Sequence, residues 1–288
     1  MSAPEPTMSE AGAPAGALLV LVDPVARRLD GESVRIAKDV LSAGAAAKIC
    51  LPETPEEFAR ALARRGHRRP VVVGDDRALV RAVSLLHRSR QLGASAVSLI
   101  PVGPAASLAL ARALGVPTGA VPAARAVLGG VARRHDLLVD DSDGVVLGGL
   151  RIPPLGRPPA TPRAVGTPTV WSACRSLART LVRPPVAPLG VAAAHRLRVE
   201  ADGVLLADVD QPVHDVSVAA RDGLVEVVVR GGISGPPRLA RVKSVTVTGP
   251  DFRYRADHTI SGPVRRRTWT LRPGAWGLTV PAGAEGSA

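Results

Sequence analysis

Aromatic residues are scarce in this chain: three Trp, one Tyr and two Phe in 288 residues. So few rings argue against a single-stranded nucleic-acid binder, which stacks bases on aromatic side chains. Cysteine is scarcer still. Cys50 and Cys174 cannot build a disulfide framework, so a reducing, cytoplasmic setting is expected. No apolar run approaches the roughly 20 residues that span a bilayer, and the stretch Ala17–Val22 is only strand-sized. Lysine is confined to Lys38, Lys48 and Lys243; every other cation is Arg. The chain contains neither a lysine-bearing phosphate loop nor a G-x-S-x-G nucleophile elbow. His67, His87, His135, His195, His214 and His258 are scattered without the spacing of zinc ligands.

What is present is a globular core in the making, with 46% hydrophobic residues and a formal charge of +12. The surplus suits nucleic acid, a phosphorylated ligand or an anionic membrane. It suits equally a solvated surface whose arginines reflect coding bias. Residues 1–16 are rich in Ala, Pro, Glu, Ser and Gly and read as a disordered tail. Strand and helix patterns then alternate: strand Ala17–Val22, helix Ser33–Ala43, strand Ala47–Leu51, and a helix from Thr54 to about Arg65. Thr54, Pro55 and Glu57 form a capping-box start for that helix. Strand Pro70–Val73, helix Asp76–His87 and strand Val97–Ile100 follow. Such alternation predicts a parallel sheet covered by helices.

After residue 150 the texture changes. Residues 151–169 are rich in Pro, Arg and Thr and read as a linker, and Trp171–Leu181 has helical spacing. From His195 onward strands dominate: Arg196–Glu200 and Val204–Ala207 around a turn at Asp202-Gly203, then Val213–Ala219, Leu224–Arg230, Leu239–Thr248, Arg265–Leu271 and Gly277–Val280. The expected fold is α/β plus all-β. A three-layer α/β domain with a mainly parallel sheet covers 17–150, and 151–288 hold the linker and an antiparallel β-sandwich. The run Asp140-Asp141-Ser142-Asp143 could touch a divalent cation or be a solvated turn. Arg265–Arg267 with Trp269 and Trp276 could face a membrane interface, or alternation could bury the rings and expose the cations.

One stretch carries most functional information. Ser98 to Pro117 reads as a buried strand, a Gly turn and a helix ending at Gly115. Such a unit can present helix N–H groups to a phosphate. It resembles the signature P-x-G-T-x-N-D-F-A of the diacylglycerol kinase catalytic family, the bacterial lipid kinases related in fold to NAD kinases. Pro101, Gly103 and Ala109 fit, while Pro104, Ala106, Ser107 and Leu108 stand at the Thr, Asn, Asp and Phe positions. Leu19 to Pro24 is similar to the family's strand ending in N-P, with Asp23 for Asn. Val73 to Arg77 is similar to G-G-D-G-T: Gly74 and Asp75 match, and Val73, Asp76 and Arg77 do not. Asp257 matches the first residue of D-G-E, where His258 and Thr259 replace the rest.

The resemblance implies an α/β nucleotide-binding domain, a β-sandwich, and an active site in the cleft between them. It implies ATP with Mg²⁺ as cofactors if activity is retained, and a lipid hydroxyl as acceptor. Gly74, Asp75, Arg77 and Gly103 are the candidate nucleotide-binding residues. For Asp75 a helix N-cap is the competing role, and for Gly74 and Gly103 the needs of a strand-to-helix turn. Arg77 could hold a phosphate or face solvent, and Asp257 could be no more than a turn residue. Asp76 is expected to cap its own helix, disfavouring a bound anion. Pro104 removes an N–H donor, and Thr259 cannot serve as the general base that Glu would supply. Catalysis is therefore expected to be weak or lost, with no catalytic residue or metal ligand assigned. A regulatory, partner-binding module and a basic membrane-surface protein are the alternatives.

Overall fold

The computed structural model describes residues 16–154, 194–231 and 235–283. The helix expected over Trp171–Leu181 and most of the tail and linker lie outside them.

Leu18–Val22 places five apolar residues in a row, all buried. Burial on both faces is the mark of a central strand in a covered parallel sheet. This strand, β1, pairs in parallel with β2 (Ala47–Cys50) and β3 (Arg69–Gly74), and β4 (Ser98–Pro101) pairs in parallel with β3. The order is β2-β1-β3-β4. The intervening helices are α1 (Pro24–Leu29), α2 (Gly31–Gly44), α3 (Pro55–Ala63) and α4 (Asp76–Arg88). Thr54 Oγ1 accepts from Glu57 N at 3.2 Å, and Glu57 Oε2 accepts from Glu53 N at 2.8 Å. The capping box thus closes one residue further back than its usual form.

The single helix expected before Gly115 is broken. A 3₁₀ turn, Ala105–Ser107, precedes a five-residue α5, Ala109–Ala113. Pro104 gives no N–H, and Ser107 Oγ donates back to the Pro104 carbonyl at 2.9 Å, a local bond that competes with the helix. Gly115 then ends the segment at φ +76°, as a left-handed helix stop does. Helix α6 (Ala120–Gly129) follows, its apolar face packed on α2 and β4.

The remaining strands are β5 (Val131–Asp140), β6 (Val145–Val146), β7 (Leu150–Ile152), β8 (His195–Arg196), β9 (Arg198–Ala201), β10 (Val204–Ala207), β11 (Pro212–Val213), β12 (Asp215–Arg221), β13 (Leu224–Arg230), β14 (Arg238–Val242), β15 (Ser244–Ala256) and β16 (Thr259–Val280). Ten of them form one antiparallel sheet with the path β14-β13-β12-β7-β15-β16-β5-β6, β9 and β10 branching from β15. Val216, Val218, Val225 and Val227 share one core with Val245, Val247 and Trp269. Since β13 does not pair with β15 or β16 yet touches both, the sheet wraps onto itself. One continuous sheet supplies both layers of the sandwich.

Three strands that precede residue 150 or end beside it, β5, β6 and β7, already belong to this second sheet. The strands expected at Arg265–Leu271 and Gly277–Val280 are one strand, β16, with a register shift between Arg272 and Trp276. Its last residues cross into the first half. Val97 N donates to Gly277 O at 2.8 Å and Thr279 N to Val97 O at 2.9 Å. Trp276, Leu278 and Val280 join the core that holds Leu19, Phe58 and Leu86. Both tryptophans are core residues, Trp269 at 0% and Trp276 at 1% exposure. They form no Arg/Trp surface. Arg267, on the same face as Trp269, is drawn partly under by Asp141 at 2.6 Å.

His135 lies against the Trp276 ring at 5.3 Å, its Nε2 buried with no partner. Burial, reinforced by Arg133, holds its pKa below the usual imidazole value of 6.5. The unfolded chain therefore takes up a proton that the folded chain refuses. His135 costs stability as pH falls through 6.5 toward its folded pKa. His135→Phe should flatten that loss between about pH 7 and 5, as read by urea melts at each pH. An unchanged pH slope would contradict this.

Candidate functional site

In open α/β sheets, ligands bind beyond the carboxyl ends of the strands, where the strand order reverses. Here that place lies between β1 and β3. Asp23 ends β1, Gly74-Asp75-Asp76-Arg77 leaves β3, and Val102-Gly103-Pro104 leaves β4. The crevice is closely packed. A Cβ on Gly74 would lie 2.8 Å from Ala78 Cβ and 3.0 Å from Asp23 Cβ, so packing alone demands glycine. Asp23 caps α1 by accepting from Val25 N at 2.8 Å, and takes Arg81 Nη1 at 3.0 Å.

Asp75 is the N-cap of α4: its Oδ1 accepts from Arg77 N at 3.0 Å and Ala78 N at 3.2 Å. Gly103 has φ +149°, and a Cβ there would meet Ser107 Oγ at 3.0 Å and Asp75 Cβ at 3.5 Å. Gly74, Asp75 and Gly103 therefore do come together, each with a structural duty. Arg77 is exposed at the edge of the same cleft.

Asp76 corrects the expectation for it. It does not cap its own helix, because Asp75 already does. Its carboxylate points across to α5, where Oδ2 accepts from Leu110 N at 2.8 Å and Oδ1 from Ala111 N at 2.9 Å. The residue is 0% exposed. Its third partner is His258 Nε2, 3.0 Å from Oδ2. His258 sits on the tip of the β15–β16 hairpin, so this bond ties the β3–α4 turn to the second sheet.

The same hairpin tip carries Asp257 at φ +48°. Asp257 is more than a turn residue. It accepts from Leu147 N at 2.9 Å, Gly148 N at 2.7 Å and Gly149 N at 3.2 Å. Burial pushes its pKa above the usual carboxylate value, against those three bonds. Thr259, next along, is exposed.

His258 divides the cleft. On one side lies a small hollow of about 240 Å³ lined by Arg77, Val80, Arg81, His258 and Thr259. On the other lies a groove of about 490 Å³ between α5 and the face of the second sheet. Among the described residues no carboxylate lines the small hollow.

The donors for a triphosphate and its magnesium ion do not fit here. The N–H groups opening α4 are bonded to Asp75, and two of those opening α5 to Asp76. Helix N-termini attract anions through such free groups, and carboxylates now hold them. Among the described residues no group of three His, Cys, Asp or Glu could hold a metal ion. The Asp140–Asp143 run is a satisfied turn: Asp140 Oδ1 accepts from Ser142 N and Gly144 N, both at 2.8 Å, and Asp143 bonds His87 at 2.9 Å. Among the described residues no helix is long and apolar enough to cross a membrane.

The pair Asp76 and His258 was the feature the motifs did not announce. Its sequence signal is that both residues stand where the similar family has glycine, in two different motifs.

No protein-family model matches the chain, and no curated protein matches it. Solved structures do. One described as a "putative diacylglycerol kinase" from Bacillus anthracis str. Sterne superposes with a TM-score of 0.71 at 14% identity, over 96% of this chain and 99% of that one. A diacylglycerol kinase structure from the same organism gives 0.68 at 12% identity, over 94% and 98%. A third, described like the first, gives 0.66 at 13%, over 92% and 97%. At this identity the likeness is one of architecture, and nearly the whole chain has the fold of these diacylglycerol kinase structures.

Proposed function

We propose that this chain is a lipid-kinase-like protein in which phosphoryl transfer has been lost and the cleft is kept for binding. The observation that carries the reading is the 3.0 Å contact between Asp76 and His258. It joins, with two side chains, two turns at which the motifs of the similar family carry glycine. Three further features support it. Thr259 offers no base for an acceptor hydroxyl. Pro104 removes a donor from the β4 turn. Carboxylates hold the helix N–H groups that a phosphate needs. The setting we propose is cytoplasmic, in keeping with the free thiol of Cys50.

A nucleotide titration tests this. Ligand binding raises stability by RT ln(1 + [L]/Kd), about 2.7 kcal/mol at 100-fold excess over Kd. Millimolar ATP with Mg²⁺ should leave the melting temperature unchanged. A saturable rise would show that the cleft still holds nucleotide, and would contradict the reading that carboxylates have taken the N–H groups a phosphate needs.

A further inference from the structure

The face of the second sheet that borders the larger groove carries an uncompensated charge. Antiparallel pairing sets Arg255 of β15 opposite Arg151 of β7. Like charges directly opposite on neighbouring strands destabilise a sheet, so their partners matter. Arg151 is neutralised, its Nε and Nη2 reaching the two oxygens of Asp215 at 2.5 and 3.0 Å. Arg221 has Glu226 within 3.9 Å. The Asp257 carboxylate is turned to three backbone N–H groups. Arg255 lines the groove with no carboxylate partner among the described residues.

The walls beside it are apolar and small: Ala109, Leu110 and Ala113 from α5, and Ala219 from β12. Glycine keeps the groove open. A Cβ on Gly148 would lie 3.1 Å from Leu110 Cδ1 and from Asp257 Oδ1. A space of about 490 Å³ therefore joins an apolar wall to a guanidinium without a carboxylate partner among the described residues.

We propose that this groove binds an anionic amphiphile. Its phosphate or carboxylate lies on Arg255, and its alkyl chain lies against Ala109, Ala113 and Ala219. Arginine offers a planar fork of donors suited to either headgroup. The inference rests on reading the cleft as a retained binding site.

Calorimetric titration of the full chain with decyl phosphate, below its micellar concentration, tests it. Inorganic phosphate and decanol are the parallel arms. Decyl phosphate should bind saturably, and each parallel probe at least about tenfold more weakly, a loss of about 1.4 kcal/mol. Arg255→Gln should weaken decyl phosphate about tenfold or more. Ala113→Glu, at an exposed helix position, should do the same by repulsion. Arg265→Gln, on the exposed guanidinium paired with Asp251, should leave binding unchanged. Inorganic phosphate binding as tightly as decyl phosphate would overturn the proposal in favour of a free-anion site. Unchanged binding in both groove variants would overturn it outright. Neither result touches the loss of phosphoryl transfer, which is read by a separate assay.

Discussion

Asp76→Ala should lower the stability of the chain by about 3–5 kcal/mol, because it removes the acceptor of two buried backbone amides. The carboxylate is wholly buried and holds three donors: Leu110 N, Ala111 N and His258 Nε2. Truncation strands the two amides without water, at about 1–3 kcal/mol for each unsatisfied buried group. It also releases the hairpin tip from the β3–α4 turn. At about 2–4 °C per kcal/mol for a domain of this size, the melting temperature should fall by roughly 10 °C. Asp75→Ala is the internal comparison. It removes an ordinary N-cap and should cost only about 1 kcal/mol. Thermal melts of the two variants side by side decide the matter. Equal losses would mean that Asp76 is no more than a second cap.

Trp276→Ala should be as damaging, at about 3–5 kcal/mol for a fully buried large ring. The ring is 1% exposed, its Nε1 donates to Asp136 O at 3.1 Å, and it packs on His135. Its position makes the loss global. Strand β16 carries Trp269 in the core of the second sheet and Trp276 in the core of the first. The two halves also share the backbone bonds between Val97 and Gly277 and Thr279, and the buried contact of Ser98 Oγ with Thr279 Oγ1 at 2.9 Å. Calorimetry should therefore show one transition, shifted as a whole to lower temperature. A variant trace in which most of the heat stays at the original temperature would contradict the shared core.

Much of the fold was legible in the sequence, and the reasons are local. Ala17–Val22 and Pro70–Val73 declare themselves as buried strands by unbroken apolar runs, and Val97–Ile100 by a run that only Ser98 interrupts. The turn at Asp202-Gly203 has φ values of +46° and +82°, the geometry that Asp-Gly favours in a two-residue hairpin. Thr54 capped where its pattern said. The misses are of two kinds. Helix α5 begins late, after the break at Pro104 and Ser107, and its N-terminus is completed by Asp76, whose side chain comes from 34 residues earlier. Strand β16 is continuous because pairing with β5 and β15 overrides the Pro and Gly that break its pattern. Both are tertiary effects, invisible to periodicity.

The site divides along the same line. Gly74, Asp75 and Gly103 come together because strand ends fix them, each with a packing or capping duty. What fills the cleft was not legible, because Asp76 and His258 are 182 residues apart. Each substitution alone reads as a lost glycine. Only the fold shows that the two losses meet, and that Asp76 serves α5 and not its own helix.

The most direct test of the account is transfer of label from radiolabelled ATP, with Mg²⁺, to diacylglycerol in mixed micelles. The account expects no labelled lipid above the protein-free control, at any ATP concentration. Labelled lipid that appears with the natural sequence and disappears in Asp75→Ala would contradict it, and would show that the cleft still works as a kinase despite the bridge across it.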